Sequence, residues 1–352
     1  MLIFDAHLDL AFNAVDWNRD LELSIAELRA SESAMTELGR GTGTVSLPEM
    51  RRGHVGVCLA TMFARLRQTM PSPYGCASVE ACYAVGIGHQ AYYKAMERRG
   101  LMRSIRSRSD LTQHLADWDA RPEQAPLGYL LSMECADMVT DSDQIFEWYD
   151  LGLRAIGLTH YGVNRYGGGT NSDVGLKPEA KPLLKNLEQL KLPLDLTHLS
   201  DPAFDDAINW FGGRVLASHQ NVRKFANWQR QFTDAQIKAL VERDGVMGMA
   251  LDAVMLQDGF VRGKSKPEVT LERVVDNIDH ICQLAGSARH IGIGTDLDGG
   301  YGTEQTPADL NTIADLQRLP ELMTKRGYST ADIEGVMHGN WTRFFSETLP
   351  TD

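Results

Sequence analysis

Eight short apolar runs recur along the chain with longer stretches of helical spacing between them, and few folds accommodate that pattern. The runs cover residues 2–9, 54–63, 126–134, 153–159, 192–197, 214–218, 245–251 and 290–296. Each is rich in Val, Ile and Leu, as a strand buried on both faces requires. Eight strands alternating with helices predict a (β/α)8 TIM barrel of the α/β class. The 352 residues would also suit two ordinary domains. No linker, low-complexity tract or long charge block divides them, so one catalytic domain over residues 1–352 is the simplest account.

Several segments depart from a plain strand–helix repeat. Residues 10–52 are too long for one crossover helix and must carry extra loop or helix. Residues 161–182 are rich in Gly and Pro and predict a loop over the barrel mouth. The stretch Gly167-Gly-Gly-Thr170 could cradle an anion, but a flexible lid is the simpler reading. Residues 77–119 read as one long helical segment, with Arg98, Arg99, Arg103, Arg106 and Arg108 on a solvated face. The last helix, 329–347, begins at Ser329-Thr-Ala-Asp332, a cap residue followed by an acid.

The ends of the runs carry the chemistry. The first ends in His7 and Asp9, two residues apart and so on one face of a strand. The third ends in Glu134, the fourth in His160, the fifth in His198, the sixth in His219 and the eighth in Asp296. Barrel active sites form where the C-terminal strand ends converge. Seven titratable side chains buried there without partners would be costly, whereas metal ions would satisfy them. Three or four such ligands suffice for one zinc; six or seven suggest two metals sharing a bridging carboxylate. Such a pair, about 3.5–4 Å apart, can hold a hydroxide at neutral pH and favours hydrolysis. No GxGxxG follows a strand, and no P-loop is present. Asp298 reads as a turn residue.

The formal net charge of −12 argues against a nucleic-acid or anionic-membrane binder, which needs a basic face. The five cysteines, Cys58, Cys76, Cys82, Cys135 and Cys282, are scattered and predict reduced thiols. Cys135, beside Glu134, reads as a packed thiol. The first strand begins at once, with no basic leader, and no run is long enough to span a membrane. A cytoplasmic enzyme is the expectation.

These segments together resemble the membrane (renal) dipeptidase family, the M19 metallopeptidases of the amidohydrolase-like barrels. The resemblance rests on Asp5-Ala-His7-Leu-Asp9, Ser132-Met-Glu134, Gly157-Leu-Thr-His160, Leu194-Asp-Leu-Thr-His198, Ala217-Ser-His219, Gly292-Ile-Gly-Thr-Asp296-Leu-Asp-Gly299 and Gly339-Asn-Trp-Thr-Arg343, in family order. It implies two zinc ions per subunit: His7 and Asp9 on the first, Glu134 bridging, and His198 and His219 on the second. It implies that His160 polarises the scissile carbonyl and stabilises its oxyanion. Asp296 would carry a proton from the bridging hydroxide to the leaving amine, which suits a carboxylate beside two cations. The register of the loop after strand six places Arg230 where the family binds the substrate's C-terminal carboxylate, with Arg223 as the more structural neighbour.

The implied activity is hydrolysis of a dipeptide, with tolerance of a D-residue on its C-terminal side. The rival on the same metals is hydrolysis of an N-acyl amino acid or a cyclic amide; a rival of another class is an inactive binding barrel. Family members often form homodimers, and no interface can be read from these residues. Three positions depart from the family pattern. Tyr161 follows His160 where Asn is usual, Ala226-Asn-Trp-Gln229 replaces a Cys-Pro-His-Pro-like stretch, and the fifth strand reads Leu-Asp-Leu-Thr-His.

Overall fold

The computed structural model describes residues 1–67 and 75–351. Nine strands are present in chain order: β1 (Ile3–Leu8), β2 (Val55–Phe63), β3 (Met102–Ser104), β4 (Leu127–Glu134), β5 (Leu153–Gly157), β6 (Leu194–Asp195), β7 (Val215–Gln220), β8 (Met247–Met249) and β9 (Ile291–Ile293). All their pairings are parallel. The order β2–β1–β9–β8–β7–β6–β5–β4 closes on itself through β2–β4, which makes an eight-stranded ring. Each ring strand falls within one of the eight expected runs except β7, which continues two residues past the run 214–218 to Gln220. The ring sends all its C-terminal ends to one mouth, where loops from separate strands meet.

Several ladders stop short of the apolar runs, because buried carboxylates take over the backbone donors. Asp5 accepts the N–H of His7 at 3.1 Å and of Thr295 at 2.8 Å, and the Thr295 hydroxyl at 2.6 Å. Asp195 accepts the N–H groups of Thr197 and Ser218, both at 3.0 Å. The chain can therefore turn into the mouth just past β6 and β9 without orphaning buried amides.

The segment expected as one helix over 77–119 is instead two, Val79–Arg98 and Arg108–Ala120, with β3 between them. Gly100 turns the chain at φ +72°, and Ser107 starts the second helix with a capping box to Asp110. β3 pairs with the start of β4, outside the ring. The basic run is split accordingly: Arg99 pairs with Glu22, Arg103 with Asp117 at 2.6 Å, and Arg106 donates to the Leu151 carbonyl at 3.0 Å.

The insertion over 10–52 holds a π-helical turn (Phe12–Asp16) and two helices (Ile25–Ser31 and Leu47–Arg52). Asp298 ties it to the mouth. Its carboxylate accepts Thr44 N–H at 2.8 Å, Val45 N–H at 3.0 Å and Arg19 Nη1 at 3.3 Å, from a turn position at φ +61°. The Gly-rich segment is not a free-standing lid. Tyr161, Val163, Gly167 and Gly169 form bridges to Thr170, Gly168, Leu176 and Leu199, so the segment is a hydrogen-bonded wall.

The C-terminal helical segment starts at Thr330, after the Ser329 cap, and passes through a π-turn (Gly335–Gly339) into Asn340–Thr348. Trp341, Phe344 and Phe345 pack from it with Phe4 of β1, and Trp341 Nε1 donates to the Ile293 carbonyl at 2.9 Å. The five cysteines are unpaired, and Cys135 is buried against Asp137 and Asn164. Among the described residues no helix is long and apolar enough to cross a membrane.

Candidate metal centre and its cavity

The ring brings all seven strand-end side chains to one place. Three overlapping groups each have ligand atoms within 4.8 Å of one another: His7, Glu134 and His219; Glu134, His160 and His198; and His7, Asp9 and Asp296. Glu134, the last residue of β4, sits between the imidazoles. Its Oε1 lies 3.1 Å from His198 Nε2, 3.5 Å from His219 Nε2 and 3.8 Å from His160 Nε2, while Oε2 is 3.9 Å from His7 Nε2. His7 Nε2 is also 3.5 Å from Asp9 Oδ2 and 3.8 Å from Asp296 Oδ1.

Hydroxyl groups behind the ring nitrogens set these orientations. Thr170 Oγ1 lies 2.9 Å from His198 Nδ1, and Ser218 Oγ lies 2.9 Å from His219 Nδ1. A ring N–H at Nδ1 satisfied by each hydroxyl leaves the Nε2 lone pair facing inward, the arrangement metal-binding histidines use. The two Nε2 atoms stand 3.2 Å apart. His198 and Asp296 hold positive φ angles of +65° and +60°, strained for these residue types, as functional positions often are. Gly299 makes the second of these tolerable, because any Cβ there would collide with the Asp296 carboxylate.

Electrostatics show what the site would accept. Burial alone would hold His7 down, yet Asp9, Glu134 and Asp296 override it and raise its pKa to about 10. Burial pushes Glu134 up to about 7, against the opposing pull of His7, and pushes Asp296 well above the carboxylate range. Burial and nearby cationic groups hold His160, His198 and His219 well below the ordinary imidazole value. Carboxylates that cling to protons beside neutral imidazoles need positive charge in their midst. His7 Nε2 and Asp9 Oδ1 are buried without hydrogen-bond partners. Imidazole and carboxylate donors with orphaned lone pairs fit divalent transition metals.

A cavity opens onto this cluster, lined by Asp9, Glu134, His160, His198 and Asp296 and by residues of the surrounding loops. Arg230 is in its wall and is 3% exposed. Its Nη2 donates to the His219 carbonyl at 2.8 Å and its Nη1 to Gln220 Oε1. Among the described residues no carboxylate pairs with it. Arg223 is committed elsewhere, in an ion pair with Asp201 at 2.7 Å. Trp228, from the departing loop, donates to Asn171 Oδ1 at 2.7 Å and lies 6.2 Å, ring to ring, from Tyr161. Tyr161 lines the cavity, and Trp228 packs behind it.

Sequence reasoning missed several lining residues. Asp252, Met255, Arg262 and Tyr301 come from the loops after β8 and β9, Phe12 from the segment after β1 and Phe63 from the end of β2. Of these only Asp252 left a signal: it directly follows the apolar run 245–251, as the ligands follow theirs. Arg65, which donates to His160 Nδ1 at 3.5 Å, left none.

A model of the membrane dipeptidase family (peptidase family M19) matches residues 1–350. A dipeptidase of Schizosaccharomyces pombe, itself uncharacterised, is 24% identical over 361 aligned residues, spanning 97% of this chain and 83% of that protein. The fold is similar to the crystal structure of an M19 metallopeptidase called dipeptidase AC, with a TM-score of 0.80, 22% identity and 99% of each chain covered. It is also similar to a Rhodobacter sphaeroides metallopeptidase bound to a phosphinate mimic of L-Ala-D-Ala, with a TM-score of 0.79, 22% identity and 99% of each chain covered.

Proposed function

The chain belongs to the membrane dipeptidase family, the M19 metallopeptidases, and on that premise we propose that residues 1–352 act as one catalytic barrel that hydrolyses dipeptides at a binuclear zinc centre. The observation that carries this reading is the set of three overlapping ligand groups joined through Glu134 and His7. His7 and Asp9 would hold one ion, His198 and His219 the other, and Glu134 would bridge them. When bound, the ions supply Lewis acidity and a water made acidic enough to ionise near neutral pH.

The protein's own groups do the rest. His160 is kept neutral by burial and nearby cations. Because a guanidinium can only donate, Arg65 fixes Nδ1 of His160 as an acceptor and leaves the proton on Nε2. That N–H faces the cavity and can donate to the oxyanion of the scissile carbonyl. Asp296, ionised once bound cations offset the burial that raises its pKa, would take a proton from the attacking water, hold it as the buried carboxyl group, and deliver it to the leaving amine. Arg230, with neutral partners only, offers a planar fork to the substrate's C-terminal carboxylate. The mimic held by the Rhodobacter sphaeroides relative supports tolerance of a D-residue on the C-terminal side.

The competing reading is hydrolysis of N-acyl amino acids or cyclic amides at the same centre. A panel of L-Xaa-L-Yaa and L-Xaa-D-Yaa dipeptides, assayed beside their N-acetylated forms on zinc-loaded protein, separates the two. Cleavage of the free dipeptides is expected; cleavage of the N-acetylated compounds alone would establish an acylase instead.

A further inference from the structure

The cavity has two unlike sides. Phe12 and Phe63 face it from the β1 and β2 loops, their rings 6.0 Å apart. Asp252, Met255, Arg262 and Tyr301 face it from the loops after β8 and β9. On that second side two polar groups lack what burial demands. Asp252 Oδ1 caps the turn Ala253–Leu256 through Val254 N–H at 2.8 Å, and Gln305 Nε2 reaches Oδ1 at 3.0 Å and Oδ2 at 3.1 Å. Among the described residues Asp252 has no ion pair, although Arg262 and Arg230 are near enough to oppose the rise of its pKa to about 6 on burial. Tyr301 is 1% exposed, and its hydroxyl has no hydrogen-bond partner. Gln305, from the same loop as Tyr301, reaches the Asp252 carboxylate, and both Asp252 and Tyr301 line the one cavity, so the carboxylate and the hydroxyl belong to one neighbourhood.

A part-buried carboxylate that faces the cavity without an ion pair, and a buried hydroxyl without a partner, are each costly. One donor-rich cation would relieve both. Arg262 does not fill that role: its Nη2 is engaged by the Gly300 carbonyl, and it is exposed at the rim, where solvent screens it. Resting on the dipeptidase reading above, we propose that Asp252 and Tyr301 form a specificity subsite for a cationic side chain, of the lysine or ornithine type, on the C-terminal residue of the substrate. The C-terminal residue is assigned because Arg230, which would take its carboxylate, comes from the loop after β7, the ring neighbour of β8, and shares the cavity wall with Asp252. Phe12 and Phe63 leave the side of β1 and β2 to an apolar N-terminal residue.

The test uses zinc-loaded protein and dipeptides with N-terminal L-Ala and C-terminal Lys, norleucine or Glu, each in L and D form. Norleucine keeps the aliphatic stem of Lys and lacks the ammonium. A hydrogen bond to a charged group should favour Lys over norleucine by about 10–100-fold in kcat/KM. Asp252→Asn, which can still cap the turn, should bring that ratio toward one, and Tyr301→Phe should reduce it several-fold. If Asp252→Asn does not fold, the wild-type profile and Tyr301→Phe still decide. Equal rates on Lys and norleucine, a preference for Glu, or a ratio unmoved by both variants would overturn the subsite alone. Failure to cleave any free dipeptide would remove the dipeptidase reading and the subsite with it.

Discussion

Glu134 presents one oxygen to three imidazoles and the other to a fourth, and the residues around it divide by what each can do. Asp296 contacts His7 but lies beside the cluster rather than between its imidazoles. Asp296→Asn should therefore retain bound zinc, measured by metal analysis, while kcat falls by roughly 10²–10⁴-fold, the range for lost acid–base help. Full activity in that variant would refute the proton-transfer role. Arg230→Ala should raise KM chiefly for dipeptides with a free C-terminal carboxylate, and an equal loss on amidated substrates would refute its assignment. Ser218→Ala removes the hydroxyl behind His219 and should weaken zinc binding by about 10–100-fold, read in a chelator competition.

At the scale of elements, the strands were legible because a buried parallel strand is a dense apolar run, and every ring strand lies within such a run or, for β7, overlaps one. β3 was not legible: three residues, Met102–Ser104, pair only with the start of β4 and leave almost no pattern. The ligands were legible because a polar, metal-competent side chain at the end of an apolar run is conspicuous. Arg65 and Tyr301 were not, since Arg65 meets His160 and Tyr301 meets the cavity from loops whose path depends on tertiary contacts. Nor does the sequence show that the Gly-rich segment holds His198 through Thr170. The C-terminal helix rests on Trp341, fully buried and bonded to the Ile293 carbonyl. Trp341→Ala should cost about 3–5 kcal/mol in denaturant unfolding, the range for deleting a large buried aromatic.

For the whole molecule, the ring gathers carboxylates at its mouth, where the proposed cations would offset their charge. Without metal, His7 in the folded state keeps a proton to about pH 10 that the unfolded chain releases near its ordinary value of 6.5. That contribution to stability is fully present below about pH 6.5 and is lost as pH rises through about 10. Glu134, raised from 4.5 to about 7, acts in the same direction over its own range. Thermal unfolding of the metal-free protein should thus shift to lower temperature between pH 7 and 10, and zinc should flatten that dependence. The most direct test of the central claim is to titrate zinc into the chelator-stripped protein while following both bound metal and hydrolysis of L-Ala-D-Ala. The account predicts two equivalents bound, with full turnover only when both are present. Turnover undiminished in the stripped protein, or saturation of activity at a single equivalent, would contradict it.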